Sequence, residues 1–207
     1  MRIPHFSHVI AVLALAAAPC AAAQARGDWT LGLGVHTVDP KSDNGRLAGG
    51  TLPVRVGDAT RPSATIEYFV RDGLGIEVIA ALPFEHDIRI EGLGRVGSTR
   101  QLPPTVSLQA HFNRDGRVSP FVGAGVNYTS FFHERTTGAL AGGRLALDDS
   151  WGPAAHVGID IALGERGALR LDARWIDIDT RVELDGTRIG SVHVDPLVWG
   201  AAYVARF

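Results

Sequence analysis

The sequence holds a single cysteine, Cys20, among 207 residues, and it precedes most of the chain. From residue 24 onward there is no thiol, so disulfides and thiolate chemistry are excluded there. Cationic excess is also missing. Twenty Lys and Arg stand against 22 Asp and Glu, for a formal net charge of −2, which leaves no basic stripe for nucleic acid. No 3.6-period apolar stripe of helical length follows residue 24. The apolar run Val9–Ala18 is too short for the ~20 residues that a membrane helix needs.

That run belongs to a separate segment. Arg2 supplies a positive start, and "PCAAAQA" offers small-residue cleavage sites after Ala23 or Ala25. Residues 1–23 therefore read as a secretory signal peptide, with 24–207 as the working domain. Pro19 before Cys20, and Ala17 where a lipoprotein carries leucine, argue against lipidation.

What the chain has is alternation of period two, repeated eight times. In "WTLGLGVHTV" one face is Trp29, Leu31, Leu33 and Val35, and the other Thr30, Gly32, Gly34 and His36. "TVSLQAHF" sets Val106, Leu108, Ala110 and Phe112 against Thr105, Ser107, Gln109 and His111. The same pattern runs through "PSATIEYFV", "LGIEVIAALPF", "FVGAGVNYT", "WGPAAHVGIDIAL", "ALRLDARW" and "VDPLVWGAAYVARF".

The connections alternate as well. "RDG", "NRDGR" and "GERG" are tight glycine turns, whereas Asp39–Arg61, Glu85–Leu102, His133–Ser150 and Thr180–His193 are long and polar. The expected fold is all-β: an eight-stranded antiparallel transmembrane β-barrel with long extracellular loops and short periplasmic turns, in the outer membrane of a Gram-negative bacterium. Aromatics near strand ends read as interface girdles: Trp29, Phe84, Phe112, Tyr128, Trp151, Trp175, Trp199, Tyr203 and Phe207. A soluble lipocalin-like barrel competes, with "GDW" (Gly27–Trp29) as its mimic, but lacks the long–short alternation of loops. Phe207, at the end of an alternating strand, resembles the signal that barrel-assembly machinery reads.

Several stretches together, in order over nearly all of residues 24–207, resemble the outer-membrane protein W (OmpW) family. They include "HTVDPKSDNG", "VGSTRQLPPTVSLQAHFN", "PFVGAGVNYTSFF", "LALDDSWG" and "WIDIDT". The resemblance implies an eight-stranded outer-membrane barrel with a narrow hydrophobic passage for small hydrophobic compounds, and in some members a bacteriocin receptor. The first long loop, with Arg46, Arg55 and Arg61, does not align with the family pattern, so no gating residue is carried over there.

On the lumen face, Glu67, Glu77, Asp160 and Asp172 meet Arg170, Arg174 and Arg206, with His36, His111 and His156 among them. Charges inside a membrane protein turn inward and pair, and eight strands leave room for side chains or one small ligand. This set reads as a salt-bridge network filling the periplasmic half, in preference to a selectivity filter. Glycines on the lumen faces around Gly32, Gly123 and Gly158 suggest free volume. Pro153, which lacks a ladder donor, and Trp151 beside it mark a possible lateral exit.

No catalytic, cofactor or metal site emerges. Ser130 and His133 lie three apart on a strand and point away from each other, and "EHD", "DD" and "HVD" lack convergent ligands. The expected partners are outer-membrane lipids and lipopolysaccharide, the assembly machinery, and small hydrophobic solutes. The other functional class is a non-conducting structural or receptor barrel.

Overall fold

The computed structural model describes residues 24–207; the expected signal peptide lies outside the described residues. In chain order the strands are β1 (Trp29–Asp39), β2 (Arg46–Leu47), β3 (Leu52–Val56), β4 (Ala59–Arg71), β5 (Leu74–Ala81), β6 (Phe84–Ile90), β7 (Gly94–Leu102) and β8 (Thr105–His111). They continue as β9 (Val118–Thr136), β10 (Leu145–Leu147), β11 (Ser150–Ala162), β12 (Gly167–Ile176), β13 (Asp179–Leu184), β14 (Thr187–His193) and β15 (Leu197–Arg206).

Eight of these form the barrel. β1, β4, β5, β8, β9, β11, β12 and β15 pair antiparallel in that order. β15 returns to β1 from Thr30↔Arg206 to Asp39↔Leu197, which closes the cylinder. Period-two alternation fixes the register, because a slip of one residue would turn every apolar side chain inward. Thus Leu31, Leu33 and Val35 face out while Thr30, His36 and Val38 are buried inside.

The outer apolar band is edged by rings. At the loop end stand Tyr128, Trp151, Trp175 and Trp199; at the turn end stand Trp29, Tyr68, Phe112, Tyr203 and Phe207. Trp29 sits opposite Tyr68, with ring centroids 4.8 Å apart, and Trp151 opposite Tyr128 at 4.7 Å. Such directly opposed pairs stabilise the pairing that brings them together. Phe84 departs from the expected girdle: it is 2% exposed, inside the barrel. The break at Leu82–Pro83 resets the alternation, so Leu82 faces out and Phe84 faces in.

The long connections are not the irregular polar loops expected. They carry β2, β3, β6, β7, β10, β13 and β14, which extend the barrel wall beyond the loop-end girdle. Their inward side chains, including Leu47, Val54, Ile90, Val96, Val182 and Val192, build the apolar core of the described residues. Outward charges on the same short strands, such as Arg55, Arg89 and Glu183, mask this alternation in the sequence.

Asn44 clips three segments of this extension. Its Nδ2 donates to His193 O at 3.0 Å, its Oδ1 accepts from Val56 N at 2.9 Å, and its backbone O accepts from His193 N at 3.1 Å. At 1% exposure it leaves no room for water to replace lost bonds. Asn44→Leu removes both side-chain bonds to partly buried partners, so the folded barrel should lose about 1–2 kcal/mol. Urea unfolding in lipid vesicles reads this, and an unchanged midpoint would show that the clip is dispensable.

Candidate functional site

The interior has a charged lower part and an apolar upper part. In the lower part, Arg170 of β12 donates from Nε and Nη2 to both carboxylate oxygens of Asp160 at 2.8 and 2.9 Å. It also reaches Glu77 at 2.5 Å and Glu67 at 3.4 Å. Its guanidinium lies 4.6 Å from the centre of the Phe121 ring. Arg174, two residues on and on the same face, holds Glu77 at 2.7 Å and Asp172 at 2.7 Å. All six side chains are buried. Two-residue spacing along β11 and β12 stacks these charges on one face, and the β11–β12 register places Asp160 opposite Arg170.

The histidines complete the plug. His36 bridges Ser63 Oγ at 2.6 Å and Asp172 at 3.2 Å. His111 meets Glu67 at 2.9 Å, and His156 contacts Gln109 Oε1 at 2.7 Å. Two residues absent from the expected charge set act as connectors. Gln109 joins Glu67 to His156, and Gln24 seals the turn end with its Nε2 on His111 Nδ1 at 3.0 Å. Gln109 was legible on the lumen face of its strand; Gln24 precedes the first strand and carried no signal.

Arg206 does not belong to this network. It stands half-buried at the turn-end rim opposite Thr30, and no ion pair reaches it among the described residues. On the last rung of β15, its guanidinium lies at the water-accessible rim, away from the deeper carboxylates. Four carboxylates therefore meet two arginines, and the carboxylates of Glu67 and Asp172 each also face an imidazole. The lumen glycines do not leave free volume at this level. A Cβ at Gly123 would come within 2.2 Å of His156 Nε2, and one at Gly200 within 2.0 Å of His36 Nε2. These glycines make room for the plug.

Above the plug lie two cavities. The lower is floored by His36 and Arg174 and walled by Ile79, Ala80, Ala81, Phe84, Pro103 and Ile176. The upper lies within the extended wall and is lined mainly by Val, Ile and Leu together with Phe131. Its polar lining is His86, Thr99, Gln101 and Thr180. Burial holds the pKa of His86 below the ordinary histidine value, against the opposing pull of its hydrogen bond to Gly57 O. These residues fall in stretches that read as polar connections, so the sequence concealed them.

The wall is unbroken at Trp151 and Pro153, the expected exit. The β9–β11 register runs continuously from Ser150 to Ile161, and Pro153 O accepts from Asp177 N at 3.0 Å. It is broken elsewhere. The β5–β8 ladder ends at Ile79↔Thr105, and the β6–β7 ladder begins at Phe84↔Gln101. Among the described residues, no backbone hydrogen bond joins 80–83 to 102–104. Pro83, Pro103 and Pro104 have no N–H to give. Tyr128 N donates to Pro104 O, which sets this break at the level of the loop-end girdle.

Two further constellations are weaker. Ser130 is half-buried and His133 exposed at a positive φ of 55°, with no hydrogen bond between them. Asp179, His193 and Asp195 bring ligand atoms within 4.8 Å of one another on the outer surface, but Lys41 already holds Asp195 at 2.6 Å and His193 is bonded to Asp179.

The closed barrel matches known proteins. The family model described as the OmpW family matches residues 25–207. The chain belongs to the OmpW family. Outer membrane protein W of Vibrio cholerae is 38% identical over 181 residues, covering 83% of each chain. Outer membrane protein AlkL of Ectopseudomonas oleovorans is 33% identical, over 86% of this chain and 83% of its own. Among solved structures, OprG from Pseudomonas aeruginosa superposes with a TM-score of 0.80 at 31% identity, over 89% of this chain and 98% of that one. This OmpW-family barrel is thus a Gram-negative outer-membrane protein, with its turns periplasmic and its strand extensions outside the cell.

Within this OmpW-family lumen, removing Arg170 alone leaves Asp160, Glu77 and Glu67 short of a cation. Arg170→Leu should cost about 3–5 kcal/mol, the scale for breaking a buried pair from one side. Arg206→Ala should change the midpoint by less than about 0.5 kcal/mol, as at a site without such contacts. Comparing the two unfolding midpoints separates a buried network from a diffuse one.

Proposed function

We propose that this barrel is a narrow passage by which small apolar molecules enter from outside the cell and leave sideways into the outer membrane. One observation carries the reading: the apolar cavities sit above a charged floor, and the lower of them lies beside a stretch of wall without backbone hydrogen bonds. An apolar solute gains free energy on leaving water for the upper cavity. It gains nothing from entering the charged plug, where polar groups already satisfy one another. The lower cavity reaches the wall break through Ala80, Ala81 and Pro103, and that break opens at the level of the lipid interface. Lipopolysaccharide, a polar barrier to such solutes, is the layer the route bypasses.

A relative supports the chemistry. The Dibenzothiophene metabolism operon protein PahQ of Pseudomonas aeruginosa is 27% identical over 161 residues, and its name places it beside an apolar aromatic compound. The exit is transferred from Pro153, where the ladder is continuous, to the Pro83–Pro103–Pro104 region.

Restoring donors at the break should close it. Uptake of a radiolabelled apolar solute should slow in cells carrying Pro103→Val with Pro104→Val, and stay at the native rate with Pro153→Val. A deletion strain should be as slow as the double variant. If the deletion strain takes up solute at the native rate, the passage reading falls and a non-conducting structural or receptor barrel replaces it.

A further inference from the structure

Three arginines stand side by side on the outer face of the strand extension. Arg55 of β3 lies directly opposite Arg89 of β6, and Arg89 directly opposite Arg95 of β7. Their chain neighbours Val54, Ile90 and Val96 are buried in the apolar core, so alternation turns the three guanidinium groups outward, and all three residues are exposed. Like charges set directly opposite on a sheet weaken the pairing. One carboxylate offsets them: Asp87 lies 2.8 Å from Arg95 and 4.0 Å from Arg89. Among the described residues no ion pair reaches Arg55.

More arginine lies below the row, toward the membrane. Arg100 holds Glu85 at 3.1 Å, and this hydrogen bond, with the charges of Arg135 and Arg61 beside it, keeps the Glu85 pKa below the ordinary carboxylate value. Arg61 and Arg89 border one groove with Asp58, Glu85 and Asp87. Even with Glu91 at the β6–β7 turn and Glu134 on β9 included, Arg55, Arg61, Arg89, Arg95, Arg100 and Arg135 outnumber the acids of this face, in a chain whose formal net charge is −2.

The height of the row selects its partner. Leu82 faces out at the level of the girdle, and Arg89 lies seven residues on, about 23 Å along the strand at ~3.3 Å per residue. Even at a strand tilt of ~45° it stands about 16 Å beyond the girdle. A phospholipid carries its phosphate at the interface and cannot present it there. A lipid whose phosphates are borne on sugars extending outward can. Each guanidinium takes two phosphate oxygens in parallel hydrogen bonds.

We propose that the Arg55–Arg89–Arg95 row is a docking site for the phosphorylated sugars of lipopolysaccharide, held against the outer face of β3, β6 and β7. The site is independent of whether the barrel conducts. β6 begins just after Pro83 and β7 ends just before Pro103, so a lipopolysaccharide docked there stands over the wall break.

The test measures retention of fluorescently labelled lipopolysaccharide by the full mature barrel in phosphatidylcholine nanodiscs, with empty nanodiscs as the correction. The native barrel should hold it at least about tenfold more tightly than the dephosphorylated form, the scale of one charge-assisted hydrogen bond. Arg55→Gln with Arg89→Gln should lose that preference. In phosphatidylcholine alone the same variant should match or exceed the native urea midpoint, because opposed like charges are gone. Phosphatidylglycerol and inorganic phosphate, added in turn as competitors, should displace little. Equal retention of the two lipopolysaccharides by the native barrel, or a preference that survives in the double variant, overturns the site. Displacement by phosphatidylglycerol or inorganic phosphate at equal phosphate concentration overturns it in favour of a general surface attraction or a free-anion site. A lowered midpoint of the variant in phosphatidylcholine makes the row a structural element and overturns it too. None of these outcomes bears on solute uptake, which the deletion strain decides.

Discussion

Hydrocarbon offers no partner to a peptide group, so every N–H and C=O that crosses the membrane must be bonded within the protein. Pairing of β15 with β1 meets that demand by closing the cylinder. Closure then decides the interior. Eight strands enclose a space that side chains can fill, and alternation sends half of each strand's residues into it. Glycines at Gly123, Gly158 and Gly200 admit the larger side chains of neighbouring strands.

The plug and the cavities above it follow from the same geometry. Charges cannot face lipid, so they collect inside, where Arg170 and Arg174 pair with the carboxylates. A buried ion-pair network is weak evidence for net stability, because desolvation offsets much of its attraction. Its clearer consequence is a dry, occupied floor. What lies above is walled by the apolar faces of strands that have left the membrane, and these enclose a cavity because they still have an inside. The three prolines break the ladder beside the lower cavity, which Pro103 lines, at the level of the loop-end girdle and not in the hydrocarbon centre.

How legible each feature was depends on whether one strand's pattern was enough. Trp29, Trp151, Trp175, Trp199 and Tyr203 could be placed on the outer face because each lies in phase with a long alternating run. Glu67, Glu77, Asp160, Arg170, Asp172 and Arg174 were in phase on the other face. Arg206 was in phase too, but its height along the axis, which the sequence does not record, puts it at the rim. Phe84 lost its phase at Pro83. His86 and Gln101 were hidden because β6 and β7 are short and carry outward charges among their inward residues.

Alternation of period two, the long–short rhythm of connections and the aromatic strand ends by themselves determined an eight-stranded outer-membrane barrel and which residues of its eight long strands face inward, because each is a local property of a strand and its turn. The tertiary structure alone decided which inward residues meet. Partners such as Glu77 and Arg170, or His86 and Gln101, depend on strand order and on the stagger between strands. The break in the wall depends on prolines of two neighbouring connections being set side by side. Pro153 looked equivalent in sequence, but its neighbours continue the ladder past it, whereas Pro83, Pro103 and Pro104 face one another across a single seam.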